Sequence, residues 1–524
     1  MLRPSHVHTV FSATILMMAF GFLSRIMGLV RTKYIAWLFG HNTDAFYAAF
    51  QLPDMVSYFL VGGALSATLV TILTGYRDTG HEDDGERSLS VILTTMCMVL
   101  GGAIVVAEFL APWYVRHMFH GFDAQKAQLC VRLTRILLPA QLCFFASGVF
   151  GAVLIVRRQI TVQAIAPLIY NLGTIAGGLL LVKHMGISSL AIGTLAGAFL
   201  GNFLLNAIFV YRAGLRFRPI LDWHDKGLHE WVRLSLPLMA GASLVSADPW
   251  IISYFASSTD GAITLMNVAK QLFAAPIAIL AGAAGAASMP FFASLWAKDR
   301  RFEFAVGVAD SVARVAALGL LAASAMAALA GPLVELIYLG GRFSAADCRE
   351  CAAYFVVFSI ALSLWSAQAI YSRAFYAAGN TFIPMVAATA VTVVSIPIYA
   401  SLYRSQGAMG LAIASDLGIA LQTVSLAVLL HQRRMVSLAS LDYAELGRCL
   451  LAAIGSGAVV WAAVWGLDRL PGHSWAVFRA SHIRWIDLTL LLAGTAVWVA
   501  IARCILERTG SALPRVAMKR LGLG

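Results

Sequence analysis

The sequence predicts an all-α polytopic membrane protein with about 14 transmembrane helices. Three observations carry this. Of the 524 residues, 60% are hydrophobic and only 12% are charged, whereas a soluble domain holds about 45–50% apolar and about 25% charged residues. The apolar surplus recurs in blocks of about 20 residues, the length that crosses a bilayer as a helix. The polar stretches between blocks are short, so no segment is left for a folded soluble domain. Composition therefore excludes a disordered chain and a soluble multidomain enzyme. Lys and Arg number 38 against 26 Asp and Glu, a net charge of +12. In a soluble protein that excess would point to nucleic acid. Here most of it sits in short loops, where it sets membrane orientation, and no nucleic-acid partner is expected.

Taken in order, the apolar blocks are 10–37, 43–73, 89–109, 127–156, 161–182, 187–211, 231–257, 263–292, 304–336, 348–378, 382–403, 407–431, 443–467 and 485–506. The first is long for a signal sequence, contains Arg25 and lacks a clear cleavage pattern, so it is expected to stay as a span. Placing the N-terminus in the cytoplasm puts Arg77, Arg87, Arg157, Arg212, Arg216, Arg218, Arg300, Arg301, Arg433 and Arg434 in inside segments. Outside loops carry roughly half as many cations, so both termini are expected in the cytoplasm. Arg132 and Arg135 fall in the first turns of the fourth span and are expected to reach the headgroups. The seven cysteines are scattered and imply no disulfide framework. Cys348 and Cys351 have CxxC spacing without a second pair, so no metal is expected there. Ser344 and Asp347, just before them, have capping-box spacing.

An internal repeat divides the chain. Gln51-Leu52 and the Gly-rich run Leu60–Ala64 recur 220 residues later as Gln271-Leu272 and Leu280–Ala284, with Pro53 and Pro276 at similar depth. The expected organisation is an N-lobe of spans 1–6 (1–222), a C-lobe of spans 7–12 (223–436), and a C-terminal segment with spans 13 and 14 (437–524). An even number of spans per repeat keeps orientation, so the lobes are parallel repeats. Such a plan suits alternating access, with cargo bound between lobes near the midplane.

Charge inside a span costs at least about 2.5–3.5 kcal/mol and therefore lines a cavity or pairs. Arg25 and Arg31 lie in span 1, about 120° apart around the helix. Gly21 and Gly28 flank Arg25 on its own face. Either these arginines form a cationic wall for an anionic cargo, since guanidinium binds phosphate oxygens bidentately, or Arg25 pairs with Asp44 or Asp54 as interhelical glue. Lys270 in span 8 would add a cation from the other lobe, or snorkel to the outer surface. Asp248 and Asp416 are lone carboxylates in apolar stretches; with Ser246, Ser253 and Ser415 nearby they are candidates for a coupling Na⁺ or H⁺, the alternative being a helix break at Pro249. No resident cofactor is expected, and no phosphate loop or nucleophile elbow is present.

The block Ser24-Arg25-Ile26-Met27-Gly28-Leu29-Val30-Arg31, followed by Leu38-Phe39-Gly40, Thr43-Asp44-Ala45-Phe46, Leu52-Pro53-Asp54 and Gly63-Ala64-Leu65-Ser66, resembles the MurJ (MviN) family. These are lipid II flippases of the MOP exporter superfamily. The resemblance continues through Gly331-Pro332-Leu333, Gly341-Arg342-Phe343-Ser344 and the 373–384 segment, and covers essentially the whole chain. It implies a MOP-type fold of two six-helix lobes with a cationic central cavity, and two C-terminal helices forming a groove for a polyprenyl tail. It implies substrate-binding positions at Arg25, Arg31 and Asp44, and at Gln271, where the family carries Arg in span 8, with Lys270 beside it. The chain departs from the family at Val56-Ser57-Tyr58, where the family often has Arg, and at Gly62, where it often has Glu.

The resemblance implies a flippase that moves undecaprenyl-diphosphate-linked disaccharide-peptide (lipid II) from the inner to the outer leaflet of a bacterial cytoplasmic membrane. It would be a transporter and not an enzyme, acting in peptidoglycan and cell-wall biogenesis and hence cell shape. Its partners would be lipid II, membrane lipids and the peptidoglycan synthesis machinery, and it would work as a monomer. The alternatives are a flippase for another lipid-linked oligosaccharide of the O-antigen type, or a cation-coupled multidrug antiporter of the same superfamily. The span-1 arginines argue against the latter, which needs an acidic, aromatic cavity.

Overall fold

The computed structural model describes residues 10–61, 65–78, 80–157, 159, 161–240, 244–468 and 473–514. The chain divides into two compact units, residues 1–241 and 242–524. Among the described residues there is no β-strand, only an isolated bridge between Gly340 and Phe343.

The first unit contains α1 (Val10–Phe39), α2 (Asp44–Ala49), α3 (Gln51–Val61), α4 (Leu65–Asp78), α5 (Glu82–Met118), α6 (Ala124–Leu137), α7 (Ala140–Val156), α8 (Thr161–Met185), α9 (Ser188–Gly197), α10 (Asn206–Arg212) and α11 (Lys226–Ala240). Local sequence explains the breaks. Helix α1 ends at Gly40, whose φ of +63° suits a residue without a side chain. Helix α6 starts at Asp123, whose carboxylate accepts the Lys126 backbone N–H at 2.7 Å. Pro139 divides the fourth span into α6 and α7, because it has no N–H to continue the ladder. The core is built by Leu89, Val91, Ile92, Leu100, Phe145, Val149, Leu154 and Trp231. At one end of the unit, Arg157 pairs with Glu86 at 2.8 Å and Arg87 with Asp222 at 3.2 Å.

Helices α8 and α9 meet with their backbones in contact. A Cβ on Gly177 would stand 2.5 Å from the Gly193 Cα, and one on Gly173 would stand 2.5 Å from the Gly197 Cα. Small residues four apart permit this close approach in a membrane, where packing replaces the hydrophobic effect between helices. The Thr174 and Thr194 hydroxyls bond across the seam at 2.9 Å.

The second unit contains α12 (Leu244–Ala256), α13 (Ala262–Ile277), α14 (Ala284–Ala297), α15 (Arg301–Ala328), α16 (Ala330–Tyr338), α17 (Ala345–Ile360), α18 (Leu362–Ala377), α19 (Phe382–Gln432), α20 (Tyr443–Asp468) and α21 (His473–Arg508). The Gly-rich run of the repeat forms a π-helical turn, Ala278–Ala283, between α13 and α14; its counterpart at 62–64 lies outside the described residues. The capping box at Ser344 is formed: Ser344 Oγ accepts from the Asp347 N–H at 3.1 Å, and Asp347 Oδ2 accepts from the Ser344 N–H at 2.8 Å. Helices α20 and α21 pack on each other and against α15 and α16. Trp498 Nε1 donates to Ser324 Oγ at 3.0 Å, and that hydroxyl donates to the Ala453 carbonyl at 2.6 Å.

Among the described residues, nine helices are long and apolar enough to cross a membrane, or ten if α17 and α18, bent by 42°, form one span. This count covers the described residues alone and does not test the expected number of about 14. The 51-residue α19 counts once, yet it is two helices that meet at Gly407, where φ is +60° and ψ is −142°, and they match the blocks 382–403 and 407–431. The blocks 43–73 and 231–257 run through residues outside those described. Large apolar side chains such as Phe109, Leu180, Leu451 and Leu492 lie on the surface, as they should when the solvent is hydrocarbon.

The α8–α9 seam yields a prediction. Gly177→Val should destabilise the protein by about 1–3 kcal/mol or more, read as a lower melting temperature in detergent, whereas Gly21→Val, in open space, should melt like the wild type. An unchanged melting temperature for Gly177→Val would contradict the seam.

Candidate functional site

The structure sorts the intramembrane charges of each unit into paired and unpaired ones. In the first unit, Asp44 at the start of α2 is 1% exposed. Lys126, in the first turn of α6, donates to its Oδ2 at 3.2 Å and also sits over the Phe122 ring, with the ammonium 5.3 Å from the centroid. Asp44 therefore pins α2 to α6; the pairing with Arg25 weighed from sequence is not formed. Lys126 stands in a polar helix start, and nothing in its sequence context marked it as the partner of a residue 82 positions earlier.

Arg25 lies on an exposed face of α1 beside exposed Phe22 and Ile26. No carboxylate pairs with it among the described residues. Arg31 is half-buried, and its guanidinium lies over the Tyr170 ring of α8 at 5.9 Å. Its Nε is buried without a hydrogen-bond partner, a state that costs about 1–3 kcal/mol or more for a charged group. Tyr170 also lines a cavity of about 240 Å³ with Asp54, Ser57, Gln141 and Thr194. Asp54 is open to this cavity and interacts electrostatically with Tyr170, as Arg31 does. Tyr170 and Gln141 were not singled out by sequence, since a lone Tyr or Gln in an apolar block carries no spacing signal.

In the second unit, Lys270 and Asp248 form one cluster. The Lys270 ammonium bonds Asp248 Oδ2, and the Tyr399 hydroxyl of α19 donates to Asp248 Oδ1. Asp248 is 5% exposed, and Lys270 also lies over the Phe358 ring at 5.1 Å. Lys270 thus neither snorkels outward nor stands free; it neutralises Asp248. Helix α12 runs unbroken through Pro249, so the helix break weighed as an alternative to an ion site is not formed. Asp416 is half-buried and within electrostatic reach of both Asp248 and Lys270. Gln271 is half-buried on α13 beside Lys270. Tyr399, whose hydroxyl completes the Asp248 shell, gave no sequence signal 151 residues away.

A third feature is apolar. Leu320, Ala323, Val356, Leu450, Ile454 and Trp461, from α15, α17 and α20, line a cleft of about 350 Å³. Among the described residues no group of three or more His, Cys, Asp or Glu is arranged to hold a metal ion. Cys348 and Cys351 are buried free thiols.

Comparison with known proteins gives a consistent result. A family model described as "Lipid II flippase MurJ" matches residues 35–483. A "Probable lipid II flippase MurJ" of Vibrio cholerae is 25% identical over 504 residues, covering 93% of this chain and 94% of the relative. A solved structure, "Lipid II flippase MurJ, inward closed conformation", aligns with a TM-score of 0.75 at 18% identity, covering 94% of this chain and 99% of that one. A multidrug resistance MATE family transporter of the MOP superfamily, inward-facing, aligns with a TM-score of 0.62 at 14% identity, covering 80% and 98%. The two structures show that the fold is shared.

The Asp248 cluster makes a stability prediction. Asp248→Asn removes one partner of a buried pair and should cost about 3–5 kcal/mol, seen as a large drop in melting temperature. Adding Lys270→Met should restore much of it. A double variant as unstable as Asp248→Asn alone would mean the pair is not coupled.

Proposed function

The chain belongs to the lipid II flippase MurJ family, and we propose that it carries lipid II across the bacterial cytoplasmic membrane, with Arg25 and Arg31 as the ligands of the diphosphate. The observation that carries the residue assignment is the buried Nε of Arg31, a charged donor without an acceptor. A diphosphate oxygen supplies what that donor lacks, and a guanidinium stays charged when partly desolvated. Arg25, exposed on the same helix without a carboxylate partner among the described residues, adds the second cation. Asp44, already bound to Lys126, holds α2 and α6 in place beside this helix set. The polyprenyl tail follows the apolar cleft of α15, α17 and α20, whose lining has the chemistry of the lipid interior. The reading places both termini in the cytoplasm, takes cargo from inner to outer leaflet by alternating exposure, and makes no covalent bond.

Energy coupling in this reading runs through the second unit. A cation or proton reaching Asp416 would alter the field at the Asp248–Lys270 pair. A proton suits the cluster better than Na⁺, because Lys270 and the Tyr399 hydroxyl already occupy the two Asp248 oxygens. Gln271, next to Lys270, is then a neighbour of the coupling cluster.

The test is lipid II translocation in proteoliposomes holding only this protein. Wild type should move lipid II between leaflets. Arg31→Ala should slow it about tenfold or more, the scale of one lost charge-assisted hydrogen bond, and Arg25→Ala should also slow it, both with wild-type melting temperatures. Wild-type rates in the double variant would refute the cationic site; no translocation by wild type would refute the cargo.

A further inference from the structure

The corner between α5 and α6 encloses a cavity of about 800 Å³ that the functions above do not use. Its walls are of two kinds. Val115, Phe119 and Ile136 give an apolar side, and Arg116, Arg132 and Arg135 give a cationic side; no carboxylate lines it. The arginines come from both helices. Arg116 is in the last turn of α5. Arg132 and Arg135 are three apart on α6, on the face opposite the buried Cys130, Leu133, Thr134 and Leu137.

The corner is built by its own chemistry. Pro112 lies inside α5 and has no N–H, so the Glu108 carbonyl one turn earlier has no helical donor. Arg135 Nε supplies that bond at 3.1 Å. This fixes the guanidinium by one edge without using its terminal nitrogens. Among the described residues no carboxylate pairs with Arg116 or Arg132. Asp123, the acidic residue of the connecting turn, caps α6 instead. Three exposed guanidinium groups are therefore held together without a counterion from the protein.

The depth of the cavity is marked by its surroundings. Helices α5 and α6–α7 both belong to membrane-crossing spans, and the corner is at their shared end. Next to it Trp113 is 61% exposed and lies against the His117 ring, tilted, with centroids 4.6 Å apart, while Phe109 is 79% exposed one turn deeper. An exposed Trp between apolar and polar residues is the mark of the headgroup level.

We propose that this corner binds one anionic phospholipid, with its phosphate among Arg116, Arg132 and Arg135 and its glycerol and first acyl carbons against Val115, Phe119 and Ile136. Basic pockets between transmembrane helices recognise such headgroups. The apolar side selects a lipid over a soluble anion. The lack of a lining carboxylate disfavours zwitterionic lipids, whose ammonium would find no partner. The site lies in the first unit alone and does not depend on the cargo assignment.

The test uses the full-length protein, delipidated in a neutral detergent and titrated with phosphatidylglycerol, phosphatidylcholine or inorganic phosphate, with native mass spectrometry counting bound lipid. Wild type should bind one phosphatidylglycerol at least tenfold more tightly than phosphatidylcholine. The triple variant Arg116→Gln, Arg132→Gln, Arg135→Gln should bind it about tenfold or more weakly. An equal loss of charge at the exposed Arg349, Arg404 and Arg503 should leave binding unchanged. Ala127→Trp, which fills the cavity and keeps the charges, should also weaken binding. Wild-type affinity in the triple variant, equal affinity for phosphatidylcholine, or displacement of the lipid by millimolar inorganic phosphate would each overturn the proposal.

Discussion

The cost of an uncompensated charge at hydrocarbon depth is the constraint on which the rest of this structure depends. An ionised side chain there must find a partner, reach water or wait for a ligand. Asp248 meets it with Lys270 and the Tyr399 hydroxyl, and the buried Asp44, nearer a helix end, is likewise paired with Lys126. Each of these ties helices that are distant in sequence, so the same contacts that neutralise charge also fix helix positions. Once they are made, Arg31 stands out as a charged group whose donor inventory is not satisfied. In the proposed reading, function falls to the charge that structure leaves over.

The backbone obeys the same rule. Pro112 frees the Glu108 carbonyl inside a membrane helix, and Arg135 repairs it from the next helix. The kink at Gly407 uses a backbone conformation that suits glycine, and so turns one apolar stretch of 51 residues into two directions of travel. Between α8 and α9 the order is reversed: absent side chains let backbones touch, and two threonine hydroxyls close the seam. Proline, glycine and arginine thus act as a set, each removing or restoring a hydrogen bond or a contact at a defined place.

The fold class was legible in the sequence because a membrane helix must declare itself locally, in about 20 consecutive apolar residues. The Ser344 capping box was legible for the same reason, since its partners lie three residues apart. Pro139, which ends α6 by its own local chemistry, was not singled out within its apolar block, and whether the helix breaks or runs on at Pro249 was left open by the sequence. The charged residues themselves were found by sequence, as their cost makes them conspicuous. Their partners were not. Lys126 and Tyr399 contact carboxylates 82 and 151 residues away, and only the fold brings such distances to a hydrogen bond. Lys270 and Asp248, read separately as a cargo cation and a coupling-ion ligand, are in fact each other's counterion.

The division between structural and functional charge is the central claim, and binding measures it most directly. The affinity of the purified protein for lipid II should be compared in wild type, Arg31→Gln, and the charge-neutral pair exchange Asp44→Asn with Lys126→Gln. Arg31→Gln should lose about tenfold or more in affinity, while the pair exchange, even if less stable, should bind within about twofold of wild type at a temperature where both are folded. Wild-type affinity in Arg31→Gln, or an equal loss in the folded pair exchange, would contradict it.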